Sequence, residues 1–174
     1  LVAVSESGTI HTSTNGITWT DRNTPGRWLG SVAGSGTNWV TVGIVGMVQS
    51  SPDGITWTVR STGGGRGIYS LARNPSKIVA VGFQANGTTE SPDGITWNYR
   101  WGGLGFNLDI FSMVWTGSLF VVVGDASVAY TSPDGVTWTQ RNASFRRFLR
   151  SLVWTGTQLV AVGGIDTGLV YTSS

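Results

Sequence analysis

Cysteine is absent from the 174 residues, so the chain has no disulfide framework, no thiol chemistry and no zinc–thiolate site. Charge is also scarce. Asp, Glu, Lys and Arg together make up 11% of the chain, and the formal net charge is +2. Lys77 is the one lysine among eleven basic residues, and they are dispersed, whereas a nucleic-acid surface needs a basic stripe. An Arg-rich, Lys-poor surface instead suits bidentate contacts to carboxylate or phosphate. Histidine occurs once, at His11, and one imidazole cannot hold a metal unaided. No apolar run reaches the ~18 residues of a membrane span, and no window has helical periodicity. Gly63-Gly64-Gly65-Arg66-Gly67 resembles a phosphate cradle, but no helix follows to supply an N-terminus. No cofactor is expected.

What is present is glycine, 26 residues, and tryptophan, nine. With so little charge, that is the composition of short strands joined by tight turns. The decisive feature is a repeat. Ser-Pro-Asp-Gly-Ile-Thr-Trp occurs at 51–57 and 91–97, Ser-Pro-Asp-Gly-Val-Thr-Trp at 132–138, and Ser-Thr-Asn-Gly-Ile-Thr-Trp at 13–19. The Thr-Trp pairs at 18–19, 56–57, 96–97 and 137–138 are separated by steps of 38, 40 and 41 residues. That is the length of one four-stranded propeller blade.

Physically the heptapeptide is a hairpin corner. Pro sets φ at the first central position, and Asp accepts N–H groups two or three residues on. Gly takes the positive φ, and the branched residue and Thr restart a strand. Trp then offers a flat surface to pack between sheets, with its N–H in need of a partner. The predicted structural residues are Asn15, Trp19, Asp53, Trp57, Asp93, Trp97, Asp134 and Trp138. Each Asp brings one carboxylate to its turn, whereas calcium takes six or more oxygens, so no metal is assigned.

The motif resembles the Asp box (BNR repeat) of sialidase-like and related β-propellers, in a form one residue shorter than the usual Ser-x-Asp-x-Gly-x-Thr-Trp. The resemblance implies an all-β chain, a β-propeller of four-stranded antiparallel blades, and boxes that are structural turns remote from any chemistry. About five repeat units follow, at 1–22, 29–60, 68–100, 111–141 and 149–174, the first lacking strand A and the last lacking strand D. The D strands are predicted at 17–22, 55–60, 95–100 and 136–141. The chain reads as a single propeller domain or a propeller fragment, since Leu1 opens in mid-repeat without Met or signal peptide. The five units can close as a five-bladed ring, the arrangement favoured here. The alternatives are four blades with a surplus hairpin, strand A at 149–154 completing the first blade, and an arc of a six- or seven-bladed ring.

In propellers of this kind the A–B and C–D turns share one face and the D–A and B–C loops the other. The D–A loops vary most, and variable loops on a rigid scaffold carry function. Arg beside an aromatic recurs in them. The expected ligand-binding residues are Arg27, Trp28, Arg66, Trp101, Phe106, Arg146 and Arg147, a set suited to a glycan, carboxylate or protein surface. Arg22, Arg60, Arg100 and Arg141, three residues after each Trp, read as parts of the blade, as do Tyr130 and Tyr171.

The resemblance does not extend to sialidase catalysis. That family uses an arginine triad, a Tyr–Glu nucleophile pair and an Asp acid, and its Arg-Ile-Pro signature is missing. Glu6 and Glu90 are the only glutamates, and Glu90 stands just before a box, on the face opposite the long loops. The expected function is therefore a non-catalytic binding module, secreted or at a cell surface, recognising glycan or protein through the D–A/B–C face. The alternatives are an assembly scaffold similar to the Asp-box photosystem II assembly factors, an amplified fragment with no ligand of its own, and a glycoside hydrolase fragment. Homo-oligomers through the incomplete terminal blades are a further expectation.

Overall fold

The computed structural model describes residues 1–22, 27–34, 38–60, 66–84, 87–102, 104, 108–125, 128–141, 148–164 and 168–173. Among the described residues, eighteen strands form five antiparallel sheets. The first is β1 (Val2–Val4), β2 (Ile10–Thr12) and β3 (Thr20–Arg22). The second is β4 (Leu29–Gly34), β5 (Trp39–Gly43), β6 (Val48–Ser51) and β7 (Thr58–Arg60), and the third β8 (Ile68–Arg73), β9 (Ile78–Gly82), β10 (Gly87–Ser91) and β11 (Asn98–Trp101). The fourth is β12 (Ile110–Trp115), β13 (Phe120–Gly124), β14 (Ala129–Ser132) and β15 (Thr139–Arg141). The fifth is β16 (Leu149–Trp154), β17 (Leu159–Gly163) and β18 (Leu169–Thr172). Each sheet is one blade with its strands in chain order, A to D in the three four-stranded sheets, B to D in the first and A to C in the fifth. A 3-10 turn, Ile44–Gly46, joins β5 to β6 in the second.

The repeat turn is held as its residue types require. In the third blade, Ser91 Oγ accepts the Gly94 N–H at 2.7 Å and donates to Asp93 Oδ1 at 3.0 Å. The same Oδ1 accepts the N–H groups of Ile95 and Thr96, each at 2.8 Å, and Trp97 Nε1 donates to Gly94 O at 3.1 Å. Gly94 sits at φ +78°, where a side chain is strained. Asn15 makes the same two backbone contacts through its Oδ1, so the amide serves the first copy as the carboxylate serves the others. These bonds wrap the chain as far as Trp. The D strands therefore begin only after it, at Thr20, Thr58, Asn98 and Thr139, three residues later than the sequence suggests.

The Arg that follows each Trp closes its blade's outer edge. Arg22, Arg60 and Arg141 donate Nε–H to the hydroxyls of Thr12, Ser50 and Thr131 on strand C. In the third blade the partner is Glu90, which also takes Lys77 Nζ at 2.5 Å. Burial works against the Glu90 carboxylate, but the two cations hold its pKa below the ordinary value.

Blades stack through their faces, so strand B is buried on both sides and reads as an apolar run in the third and fourth blades, Ile78–Gly82 and Phe120–Gly124. Val40, Val42 and Val48 of the second blade meet Ile68, Leu71, Ala80 and Trp97 of the third. Val79 and Val81 meet Ile110, Met113, Phe120 and Trp138, and Val121, Val123 and Ala129 meet Leu149, Leu152 and Ala161. Each Val, Leu, Ile, Met or Phe among them contributes about 1.5–3 kcal/mol. Hydrogen bonds reinforce the stack: Ser70 Oγ accepts the Met113 N–H and Ser112 Oγ the Leu152 N–H, both at 3.0 Å.

The stack does not close on itself. Trp19 is 41% exposed where Trp138 is 9% exposed, because each repeat Trp packs against the blade before its own and Trp19 has none. Among the described residues, no extensive contact joins the first blade to the fifth. The five-bladed ring is thus replaced by an open arc. Residues 149–154 pair with β17 in their own sheet, so they do not complete the first blade either.

One polar pair lies between the first two blades. Thr41 and Gln49 are cross-strand partners on the side of the sheet opposite Val40, Val42 and Val48. Thr41 Oγ1 and both ends of the Gln49 amide are buried without a partner among the described residues. Gln49→Met, nearly the same shape, is expected to raise the unfolding free energy by about 1–3 kcal/mol by removing unpaired polar atoms. Chemical denaturation measures this, and a loss of stability would mean that the amide is satisfied, by ordered water for instance.

Candidate binding face

Strand A, the inner strand, carries a β-bulge at its second residue in each of the four blades that have one. Register shifts occur between Leu29 and Ser31, Ile68 and Ser70, Ile110 and Ser112, and Leu149 and Ser151. The extra residues are Gly30, Tyr69, Phe111 and Arg150. A bulge re-aims the side chain it inserts. Opposite each bulge, strand B ends in Gly43, Gly82, Gly124 or Gly163, where a Cβ would lie 2.0–2.1 Å from the carbonyl oxygen of Trp28, Gly67, Asp109 or Phe148. The residue after each of these glycines donates its N–H to that same carbonyl. The repeated strand-B glycine therefore exists to let the bulge form.

The bulged residues make a continuous band along the inner strands. Gly30 leaves room for the Trp28 ring, which would touch a Cβ there at 2.7 Å. Trp28 meets Tyr69 edge-on with centroids 5.6 Å apart, and Tyr69 stacks on Phe111 at 6.0 Å and 19°. The Arg150 guanidinium lies 4.1 Å above the Phe111 ring and 5.7 Å from that of Phe148. Burial, then the Asp109 carboxylate, raise the Tyr69 phenol above its ordinary pKa while Arg150 opposes them.

Beside the band lies a groove of about 320 Å³ lined by Ile44, Val45, Arg66, Tyr69, Phe83 and Gln84. Arg66 Nη1 donates to Gln84 O at 2.9 Å, and Asp109 Oδ1 accepts the Gln84 N–H at 2.9 Å. Two of the rim residues are strained: Val45 has φ +57° and Gln84 φ +45°. A β-branched residue in that region is rare, and such strain clusters at ligand-binding edges. Val45 and Phe83 are exposed apolar side chains.

Of the residues singled out from sequence, Trp28 belongs to the band and Arg66 to the groove, while Arg27 is exposed next to Trp28. Trp101 does not join them. It ends β11, the outermost strand of its sheet, three strand spacings or about 14 Å from β8, which carries Tyr69, and it packs edge-on to Tyr99. Phe106, Arg146 and Arg147 lie outside the described residues. Tyr69, Phe111, Arg150, Val45 and Gln84 were not anticipated. A signal did exist: Gly30, Tyr69, Phe111 and Arg150 occupy a strand-A position where the units disagree in size and charge, as they do again at the strand's last residue (Gly34, Arg73, Trp115 and Trp154).

Among the described residues no group of three or more His, Asp or Glu is placed to hold a metal, and no helix is long and apolar enough to cross a membrane. No protein-family model matches the chain, and no curated protein matches it. Solved structures do. The WD40 propeller domain of Doa1 superimposes with TM-score 0.70 at 12% identity, over 97% of this chain and 60% of that one. A structure of YCF48 bound to D1 peptide gives 0.65 at 18%, over 97% and 59%, and a chain of the Mitotic Checkpoint Complex gives 0.70 at 12%, over 99% and 61%. The chain thus has the blade architecture of a β-propeller, and it spans about three fifths of the length of these structures.

Proposed function

We propose that this chain is a non-catalytic propeller module of the Asp-box type that binds an extended segment of another protein across its D–A/B–C face. The band of Trp28, Tyr69, Phe111 and Arg150 is the observation that carries the reading. Four neighbouring blades each contribute one side chain in a line, three of them from bulge positions and Trp28 from just before β4. A line of rings ending in a guanidinium matches a peptide better than a compact sugar. Flat aromatics bury its side chains at low entropic cost, and Arg150 offers a charged donor pair to a carboxylate. The strained rim at Val45 and Gln84 adds a pocket beside the line. Similarity to YCF48, which has been solved bound to D1 peptide, supports a peptide over a glycan.

Selection of a displayed random peptide library on the intact chain tests this. Enriched peptides should bind Phe111→Ala at least about tenfold more weakly, equivalent to about 1.4 kcal/mol, and Arg150→Ala should cost most for peptides bearing a carboxylate. Thr96→Ala, on the opposite face, should leave binding unchanged. Binding that survives Phe111→Ala and Tyr69→Ala, or a chain that retains glycans and no peptide, would refute the proposal.

A further inference from the structure

Among the described residues, ten glycines have a left-handed, positive φ, and two other residues share it: Val45 at +57° and Gln84 at +45°. Both stand two residues after a strand-B glycine, Gly43 or Gly82, in the B–C loops of neighbouring blades. The loop needs a left-handed residue at that place, and glycine would supply it without strain. This glycine-rich chain nevertheless keeps larger side chains there. One of them is β-branched, the type for which the conformation is least favourable. What the two have in common is the groove, which both of them line.

The groove suits a single side chain. Its volume of about 320 Å³ is at the small end of ligand pockets. Ile44, Val45 and Phe83 wall it with carbon, and Tyr69 belongs both to it and to the aromatic band. Its rim is set in advance. The Gln84 carbonyl is held by Arg66 Nη1 and the Gln84 N–H by Asp109 Oδ1, each at 2.9 Å. Asp109 leads into β12, so this bond ties the loop to the next blade. A rim fixed before binding has less freedom to lose on binding.

We infer that the groove is the anchor pocket of the binding face, taking one large apolar side chain of the bound segment with a carboxylate at its mouth. This rests on the peptide reading above and adds the chemistry of the ligand. The carboxylate follows from charge complementarity. Holding Gln84 O uses one arm of the exposed Arg66 guanidinium, and its fork keeps further N–H groups for an acid. Asp109 is engaged with the Gln84 N–H and stands outside the lining. Continuity with the band sets the spacing. Tyr69 is 6.0 Å from Phe111, and Arg150 lies 4.1 Å above Phe111, together about three residues of extended chain. The ligand is an acidic, apolar segment. It has a large apolar anchor, an acidic residue beside that anchor, and a second acidic residue about three positions on.

Position-by-position comparison of peptides selected on the intact chain tests this. A large apolar residue should recur at that spacing from an acidic one. Changing the anchor to Ala in the peptide should weaken binding to the unaltered chain at least about tenfold. The same change should cost less than about threefold on Val45→Gly or Phe83→Ala, which already lack a wall. Val45→Gly also removes the left-handed strain, so its thermal transition should be no lower than that of the unaltered chain. Phe83→Ala repeats the binding test without adding a glycine to the loop. An equal loss in all three proteins, selected peptides with no apolar position in common, or a lower transition for Val45→Gly would overturn the anchor pocket. Peptides that need Phe111 but ignore Val45→Gly and Phe83→Ala refute the pocket alone and leave the band standing. A selection that enriches nothing removes both.

Discussion

Gly82→Ala is expected to destabilise the chain by about 3 kcal/mol, although it adds a single methyl group. The new Cβ would sit 2.1 Å from Gly67 O, 2.6 Å from Ile68 Cα and 2.8 Å from Tyr69 N. All three are backbone atoms, so no side chain can turn aside. Relief requires undoing the bulge, which moves Tyr69 out of the aromatic band. The variant should therefore lose peptide binding and stability together. Gly168→Ala is the control: nothing lies within 4 Å of its Cβ position, and its effect should stay within about 0.5 kcal/mol. Thermal unfolding of both variants measures the difference, and equal transitions would show that the bulges tolerate a side chain.

Asp93→Ala is the second large effect, a loss of about 1–3 kcal/mol, since the Ile95 and Thr96 N–H groups lose their acceptor. Asp93→Asn should cost less, because Asn15 already plays that part in the first blade. The two variants differ further in acid. Backbone N–H groups, that of Thr96 foremost, hold the Asp93 carboxyl below its ordinary pKa. Those of Thr56 and Ile55 act likewise on Asp53, and Asp134 is lowered to about 2, led by the Thr137 N–H. A carboxyl whose pKa is lower in the folded state binds fewer protons there. Its contribution is complete above the unfolded value of about 3.9 and is lost as pH falls from there towards about 2. Stability should thus fall with pH across that window, and less steeply in Asp93→Asn. An identical slope in the variant would mean that the turn carboxylates do not drive the acid transition.

The scaffold was legible because it is built from repeated local rules. The turn heptapeptide, the strand-B runs and the Arg after each Trp recur at fixed offsets, and the structure gives each of them one job in every blade that carries it. What escaped the sequence depended on relations between units. Whether Trp19 is covered is a question about the first blade's missing neighbour, which no motif within the blade can answer. The band was missed for a related reason. Tyr69 and Phe111 look like ordinary strand residues, and only the bulge, made possible by Gly82 and Gly124 across the sheet, turns them out of the alternation. Loop composition, the guide used instead, points to Trp28, which lies in the band, to Arg66, which lines the groove, and to Trp101, whose strand lies at the outer edge.

The most direct measurement is a backbone amide NMR titration of the chain with a selected peptide. Shift changes concentrated at Val45, Gly67, Tyr69, Gln84 and Phe111 would place the ligand on the bulge-built band. Changes centred on the repeat turns at Asp53, Asp93 and Asp134, with the band undisturbed, would put binding on the opposite face and contradict the proposed site.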